Sequence, residues 1–252
     1  MRMGCDIHFY VEKKIGDQWV TADEWEDDKY DEGRKTVDYK KQFYSGRSYN
    51  LFAILADVRN GRGFAGMKTG EGFNPIAAPR GVPDDCCSEY RQMMEDYGCD
   101  GHSHSYFTLA ELLAYDWTQV TQQQGWVNPI EWAQWRDYGK PNGWSSGIGG
   151  GNVRHLSNEE FEAAWQKVRQ ERGYPEQRYA SAHLNRHQED AGDLKRLREI
   201  LGGSPYTLVS WSEPYFEAIN SEFFSRTIPR LLKVAQEVGG ADNVRATFFF
   251  DN

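Results

Sequence analysis

Aromatic side chains are the feature that most narrows what this chain can fold into. Nine Trp, 14 Tyr and 13 Phe make up 14% of the residues, although the hydrophobic fraction, rings included, is only 39% and the mean hydropathy is −0.78. Because so few apolar residues are present, much of the buried surface has to come from rings. Such a chain builds either a core of few large side chains or a wet, ring-lined ligand site.

The charge balance and the absence of long apolar runs limit the partners and the location of the protein. The 252 residues hold 29 Lys and Arg against 38 Asp and Glu, with a pI near 5.2, which disfavours binding of duplex nucleic acid through bulk charge. No run approaches the roughly 18 apolar residues of a membrane span, and the N-terminus lacks the apolar stretch of a signal peptide. We therefore expect a soluble, cytoplasmic protein with no membrane contact, whose four cysteines are free thiols.

Strand and helix patterns are both present and predict an α+β fold. Residues 5–21 alternate around a glycine turn, which is typical of a β-hairpin, and residues 244–250 form a last strand. A short amphipathic helix is predicted over residues 51–59 with Asn50 as its N-cap, and Thr108 begins a capping box. We expect a mixed or antiparallel sheet that contains the N- and C-terminal strands and packs against helices.

Nothing in the sequence marks a domain boundary, so a single α+β domain over residues 1–252 is expected. Residues 117–153 hold several tryptophans and a glycine run, and they resist assignment to helix or strand except near residues 130–138. We interpret this segment as a large, irregular Trp/Gly-rich insertion or lid. The acidic residues 23–32 are expected to form a solvated loop.

Two short Asp-x-His patterns are candidates for metal chemistry. In a strand, Asp6 and His8 lie on one face, and Asp oxygen with His nitrogen suits zinc or manganese. Asp100, His102 and His104 form a second set, which we place on a loop. If the sets converge, Asp6, His8, His102 and His104 hold the metal, and Asp6, His8 and Asp100 are the catalytic residues. Alternatively, Asp6 only orients the ring of His8, and the second set only satisfies donors of a nearby helix end.

The basic, glycine-rich segment around Arg59, Arg62 and Arg80 is the candidate phosphate-binding loop. Glycines let backbone N–H groups approach an anion, and guanidinium groups bind phosphate through paired hydrogen bonds. The segment matches neither a P-loop nor a dinucleotide-binding fingerprint, and a mobile surface loop is the alternative. Trp117 and Trp126 are candidates for stacking on a nucleobase, or else they fill a core.

Five short motifs, spread from one end of the chain to the other, resemble those of a group of uncharacterised bacteriophage-encoded proteins. They are MGCDIH at residues 3–8, LFAILADVRN at 51–60, PRGVPDD at 79–85, DGHSHS at 100–105 and FFDN at 249–252. The resemblance carries no activity with it. It implies a phage gene product made in the host bacterial cytoplasm, where host metabolites and nucleotide-like immune signals are candidate ligands.

These patterns leave two main functions open. The first is metal-dependent hydrolysis of a nucleotide or other phosphate-containing small molecule by a phosphoesterase. The second is a non-catalytic protein that sequesters a nucleotide-like host immune signal, an anti-defence role in which Asp6 and His8 hydrogen-bond the ligand or the fold. A third interpretation uses the acidic segment to occupy a host protein. We favour the hydrolase because one chain holds two Asp-x-His sets, and a homo-oligomer is compatible with each function.

Overall fold

A computed structural model of the chain describes residues 4–30, 32–176, 178–188, 192–219 and 221–251. Met3 of the first motif, Asp31 of the acidic segment and Asn252 of the last motif lie outside the described residues. Helices make up 39% and strands 26% of the structure, and one sheet contains both terminal strands. The predicted α+β fold is therefore confirmed.

The described residues form nine strands and eight α-helices. The strands β1 to β9 are Asp6–Ile15, Gln18–Thr21, Trp25–Asp27, Lys35–Val37, Gly101–Thr108, Val120–Val127, Val153–Leu156, Ser204–Pro214 and Val244–Asp251. The helices α1 to α8 are Tyr49–Ala56, Ser88–Tyr97, Leu109–Ala114, Pro129–Tyr138, Asn158–Arg172, Gly192–Leu201, Tyr215–Ala218 and Ile228–Val238.

The chain divides into two compact units. The first comprises Met1–Asn60, Phe73–Gln119 and Pro214–Asn252, and the second comprises Gly61–Gly72 and Val120–Glu213. The arginines of the basic, glycine-rich segment are therefore divided between the two units: Arg59 and Arg80 belong to the first, and Arg62 belongs to the second. The two candidate stacking residues are divided in the same way, with Trp117 in the first unit and Trp126 in the second.

A four-stranded antiparallel sheet with the order β2-β1-β9-β5 is the framework of the first unit. Strand β9 is buried at almost every residue, because elements cover both faces of the sheet. On one face, Phe248 and Phe250 belong to the core that includes α1. On the other face, Phe249 packs in a smaller core with Tyr90 and Met93 of α2. Strand β9 is thus packed between two cores.

Local sequence signals locate most elements of this unit. The hairpin predicted over residues 5–21 is confirmed as β1 and β2, and the capping box at Thr108 is present at the start of α3. Helix α1 begins earlier than predicted, because Ser48 is its N-cap and accepts from a backbone N–H of the first turn. Asn50 lies inside the helix instead, where its Nδ2 donates to the carbonyl oxygen of Ala218 at 2.7 Å.

The acidic segment is more ordered than predicted. It includes β3, which pairs with β4, and its first residue, Asp23, is buried. Oδ2 of Asp23 accepts the backbone N–H of Val11 at 2.7 Å. The charge pattern does not reveal this role, since one carboxylate of the run turns inward to satisfy a strand donor.

In the second unit, helices α4, α5 and α6 pack on one face of a three-stranded sheet with the order β6-β8-β7. Residues 117–153 are more regular than predicted, because they contain β6, whereas α4 coincides with the stretch near residues 130–138 that the prediction sets apart. Strand β6 lacks an apolar alternation, since its inward positions include Thr121, Gln123 and Gly125. That this segment acts as a lid stays a prediction.

No helix among the described residues is long and apolar enough to cross a membrane. The cysteines are all free: Cys5 and Cys87 are buried, Cys86 is half-buried and Cys99 is exposed.

Candidate functional site

Three strand ends meet at one end of the sheet in the first unit. Asp251 at the end of β9 pairs with Asp6 of β1 on one side and with Gly101 of β5 on the other. Because β9 is antiparallel to both neighbours, its last residues lie between their first residues. Polar side chains gather there, and we call this set the strand-end cluster: Asp6, His8, Arg47, His104 and Asp251.

The imidazole of His8 is held by a carboxylate and two aromatic rings. Its Nε2 lies 3.2 Å from Oδ2 of Asp251, off the line of a well-formed hydrogen bond. The ring centroid is 4.3 Å from that of Tyr97 and 4.7 Å from that of Phe249, on which the imidazole stacks. Oδ1 of Asp251 accepts the backbone N–H of Asp6 at 3.2 Å, so the carboxylate is positioned as well. As predicted, Asp6 and His8 share one face of β1.

Burial sets the protonation state of His8. It lowers the pKa of the imidazole, and the carboxylate of Asp251 opposes that shift. The ring is therefore neutral at pH 7, and a carboxylate beside Nε2 favours the tautomer with its proton there. Nε2 is buried although the side chain is 20% exposed, so the exposed part belongs to other atoms of His8. The basic nitrogen of this tautomer is Nδ1.

Two guanidinium groups converge on Gly4, just before the cluster. Nε of Arg47 donates to Oδ1 of Asp6 at 2.6 Å, and Nη2 donates to Oδ2. The same guanidinium lies 3.6 Å from the position of a Cβ on Gly4. Arg59 donates to the carbonyl oxygen of Gly4 at 3.0 Å and lies over the ring of Tyr49. Arg59 has a φ of 53°, a left-handed conformation that non-glycine residues adopt mainly where function or packing demands it.

Cys5 lies beside these arginines but is no candidate nucleophile. Its side chain is buried, and burial raises the pKa of the thiol despite the nearby guanidinium of Arg59. The thiol is therefore protonated at neutral pH, whereas a reactive cysteine has a depressed pKa and access to solvent.

A bulge in β5 separates the two histidines of the second predicted set. His102 pairs with Phe250 and Ser105 with Phe248, so both Ser103 and His104 lie opposite Phe249. Paired residues of antiparallel strands share a face, so His102 lies on the face of Phe250 and His104 packs on Phe249, with ring centroids 5.1 Å apart. The set lies on a strand rather than on the predicted loop, and the His-x-His spacing does not bring both imidazoles to one face.

His104 is the histidine of this set that shares the face of His8. Its ring lies against Gly101, where an added Cβ would be 3.5 Å from Cε1 and Nε2. Among the described residues Nδ1 has no hydrogen-bond partner although it is buried, and burial lowers the pKa of the imidazole. Asp100 precedes the strand and is exposed, in the short turn Gly98–Asp100.

The metal prediction names Asp6, His8, His102 and His104. The structure brings the first two together with Asp251, adds His104 on the same face and leaves His102 on the other. Over the described residues, no group of three or more His, Cys, Asp or Glu side chains is arranged to share one metal ion. Zinc or manganese binding remains a prediction.

The other predicted phosphate-binding arginines have partners elsewhere. Arg80 donates from Nη1 and Nη2 to both carboxylate oxygens of Glu111, at 3.1 and 2.7 Å, and lies over the ring of Phe107. Arg62, in the second unit, donates to the carbonyl oxygen of Gly66 at 3.2 Å. Of the three predicted arginines, Arg59 is the one beside the strand-end cluster.

The two candidate stacking tryptophans lie in different surroundings. Trp117 packs against Phe223 and Phe224, and its Nε1 donates to the carbonyl oxygen of Leu112 at 2.9 Å, so it fills the core of the first unit. Trp126 is half-buried on β6 and stacks on His155 with ring centroids 4.5 Å apart. Both tryptophans are half-buried, so they differ in what they contact: phenylalanine rings for Trp117 and an exposed imidazole for Trp126.

Residues outside the predicted set complete the cluster. Asp251 contacts His8 from the neighbouring strand. The signal for it in the sequence was an apolar strand, residues 244–250, followed directly by a carboxylate. Tyr97 ends α2, where helical periodicity locates it but does not show what its ring contacts. Arg47 lies in the irregular stretch before α1, and no motif marks it.

No protein-family model matches this chain, and no curated protein or solved structure matches it either.

Proposed function

We propose that the strand-end cluster binds a phosphate-containing small molecule and that the chain hydrolyses it, with His8 as the general base. The observation that carries this proposal is the contact between Nε2 of His8 and Oδ2 of Asp251 at 3.2 Å. A neutral imidazole with its orientation fixed by a carboxylate is the usual arrangement of a histidine base. The rings of Tyr97 and Phe249 restrict the imidazole further, which reduces the reorganisation that proton transfer requires.

The arginines supply the charge that a phosphate group needs. Arg59 donates to the carbonyl oxygen of Gly4 and Arg47 lies close to the same glycine, and guanidinium groups bind phosphate oxygens through charge-assisted hydrogen bonds. In the free protein, Asp6 takes the two donors of Arg47, so a phosphate that uses them has to displace this carboxylate. The pair is half-exposed, so its loss is inexpensive.

The proposed step is the hydrolysis of a phosphoester. Nδ1 of His8 takes a proton from water, the water oxygen forms a bond to phosphorus, and the bond from phosphorus to the ester oxygen breaks. The leaving oxygen takes its proton from solvent. In a metal-dependent form of the proposal, Nδ1 of His8 would bind zinc or manganese together with Asp6, and His104 is the further predicted ligand on that face. The ion would then polarise the phosphoryl oxygen and activate the water, so His8 would not act as the base.

The phage resemblance directs the choice of substrates. Nucleotide-like immune signals of a bacterial host contain phosphoester bonds, so cyclic mononucleotides, cyclic dinucleotides and ADP-ribose derivatives are the first compounds to test, beside bis(p-nitrophenyl) phosphate. The second candidate function, sequestration of such a signal without turnover, uses the same arginines and needs no base. Two observations favour sequestration. Cys5 is buried and protonated, and Arg47 engages the carboxylate of Asp6, so neither residue supplies a second nucleophile or base beside His8.

The test compares wild type with His8→Gln and Asp251→Asn, and uses His187→Gln, an exposed histidine of the second unit, as the matched control. Metal content is measured by elemental analysis of untagged protein, and turnover is followed by chromatography with added zinc or manganese and with EDTA. We expect His8→Gln to lose at least about 100-fold in rate, the lower end of general-base effects. The control should keep full activity, and circular dichroism verifies that each variant is folded.

The outcomes separate the two candidates. Turnover lost in folded His8→Gln supports hydrolysis, and its sensitivity to EDTA decides between the metal-dependent and metal-free forms. Calorimetric binding without turnover, weakened in Arg59→Ala, supports sequestration instead. If none of these compounds is bound or hydrolysed, the proposed phosphate site is wrong.

A further inference from the structure

The sheet of the second unit has an outer face that its helices do not cover. Along β6 and β8 every second residue is buried, and Val127, Val209 and Trp211 among them belong to the core with α4, α5 and α6. The residues between them are half-buried or exposed. Contacts between the strands show that these residues share one face: Gln122 donates to Ser212, and His155 pairs with Tyr206. We call this surface the outer face: Gln122, Gln124, Trp126, His155, Leu208 and Ser212.

Two rings form the centre of the outer face. Trp126 on β6 and His155 on β7 stack with their centroids 4.5 Å apart and their planes inclined by 28°. Strand β8 lies between these two strands in the sheet, so the two side chains reach towards each other across it. His155 is exposed, and the neighbouring Leu208 is 39% exposed. The result is a stacked ring pair, in which the imidazole of His155 is the exposed member and the indole of Trp126 is half-buried.

Uncharged hydrogen-bonding groups surround the ring pair. The outward residues of β6 and β8, all of them described, include the amides of Gln122 and Gln124 and the hydroxyls of Ser210 and Ser212. They include no Lys, Arg, Asp or Glu, although such residues make up 27% of the chain. Amides and hydroxyls both donate and accept, so they match a ligand that does the same.

This chemistry selects a class of ligand. A phosphate-bearing ligand or a nucleic acid needs cations that these strands do not present on this face. A purely apolar partner would leave the remaining hydrogen-bonding capacity of these amides and hydroxyls unused, because Gln122 and Ser212 satisfy only part of it in each other. A sugar ring has an apolar C–H face that packs on an aromatic ring and a rim of neutral hydroxyl groups. We propose that the outer face binds a neutral oligosaccharide, with the exposed ring of His155, backed by Trp126, stacking on a sugar ring and Gln122 bonding its hydroxyls.

The experiment measures binding to full-length protein by isothermal titration calorimetry and tryptophan fluorescence. The probes are neutral hexasaccharides of β-1,4-linked N-acetylglucosamine, β-1,4-linked glucose and α-1,4-linked glucose, with oligo-dT and AMP as charged comparisons. We expect at least one oligosaccharide to bind and His155→Ala to weaken it about tenfold, which is about 1.4 kcal/mol. Gln122→Ala should weaken it as well. Both residues are exposed, so these variants keep the fold.

A second aromatic pair in the same unit provides the matched control. Tyr138 and Tyr179 stack with centroids 5.9 Å apart and are 69% and 57% exposed, so Tyr179→Ala removes an equally accessible ring elsewhere. This variant should bind the oligosaccharide as wild type does. The proposal is overturned if none of the oligosaccharides binds, if His155→Ala and Gln122→Ala bind unchanged, or if oligo-dT or AMP is the probe whose binding depends on His155.

Discussion

Arg245 on β9 and Glu12 on the neighbouring β1 form an ion pair that is almost entirely buried, with Nε of the arginine 2.6 Å from Oε2 of the carboxylate. The other carboxylate oxygen accepts the backbone N–H of Cys87 at 2.5 Å, and Nη1 of Arg245 donates to Asp85. This network connects the residues at the N-terminal end of α2 to the sheet. It therefore supports the side of the sheet on which α2 brings Tyr97 to His8.

The ion pair makes a prediction about stability. Glu12→Ala should lower the free energy of unfolding by about 3–5 kcal/mol, because the buried guanidinium of Arg245 loses its buried carboxylate and keeps the exposed carboxylate of Asp85. Asp27→Ala removes an ion pair with Lys35 whose carboxylate is 85% exposed, and should cost at most about 1 kcal/mol. Urea unfolding of both variants measures the difference. Equal losses would contradict the assignment of the stabilisation to burial.

Asp23 predicts a pH dependence. Burial raises the pKa of this carboxyl from 3.8 to about 7, against the opposing hydrogen bond from Val11. A carboxyl group whose pKa is higher in the folded state stabilises that state at low pH. This contribution is complete below pH 3.8 and is lost as the pH rises to about 7. Asp23→Asn resembles the protonated form. Above pH 7 its free energy of unfolding should therefore exceed that of wild type by on the order of 4 kcal/mol.

Urea unfolding of wild type and Asp23→Asn at pH 4, 6 and 8 checks this dependence. The exposed Asp27→Asn serves as the control, and its difference from wild type should not follow the same curve. A difference between wild type and Asp23→Asn that is the same at all three pH values would show that the carboxyl does not titrate in this range.

The contact between His8 and Asp251 predicts a shift that NMR can measure. Because the carboxylate raises the pKa of His8 against the effect of burial, Asp251→Asn should lower the pKa of this imidazole further. A ring titration followed by two-dimensional NMR reports the change directly. Asp17→Asn, in the turn at the far end of β1, should leave the pKa of His8 unaltered. A higher pKa of His8 in Asp251→Asn would refute the contact.

Gly70 predicts a steric effect in the second unit. An added Cβ would lie 2.2 Å from the carbonyl oxygen of Gln122, and backbone φ is +155°. Gly66 also has a positive φ, +74°, but a Cβ there meets nothing within 4 Å. Gly70→Ala should therefore lose roughly 1–3 kcal/mol more stability than Gly66→Ala, the range found for overpacked sites. Thermal or urea unfolding of the two variants tests this, and similar losses would contradict the close approach.

Local patterns in the sequence determined the elements of the fold that short-range physics controls. The alternation before and after Gly16, the apolar run of β9 and the capping box at Thr108 each depend on neighbours within a few residues, so they are visible without the structure. Asp6 and His8 also share a face for a local reason, the two-residue period of a strand. The sequence did not predict β6, because several of its inward-facing residues are polar. Its burial depends on the neighbouring strands of the sheet rather than on its own hydropathy.

The tertiary structure alone decided which of these residues meet. Asp251 reaches His8 only because β9 pairs with β1 in one register, and a shift of one residue would move every side chain to the other face. The bulge at Ser103 sends His102 and His104 to opposite faces, although their spacing in the sequence suggested a pair. Arg47 joins Asp6 from a stretch with no motif. Pairing across 245 residues of chain is a property of packing and hydrogen-bond register, which no local pattern encodes.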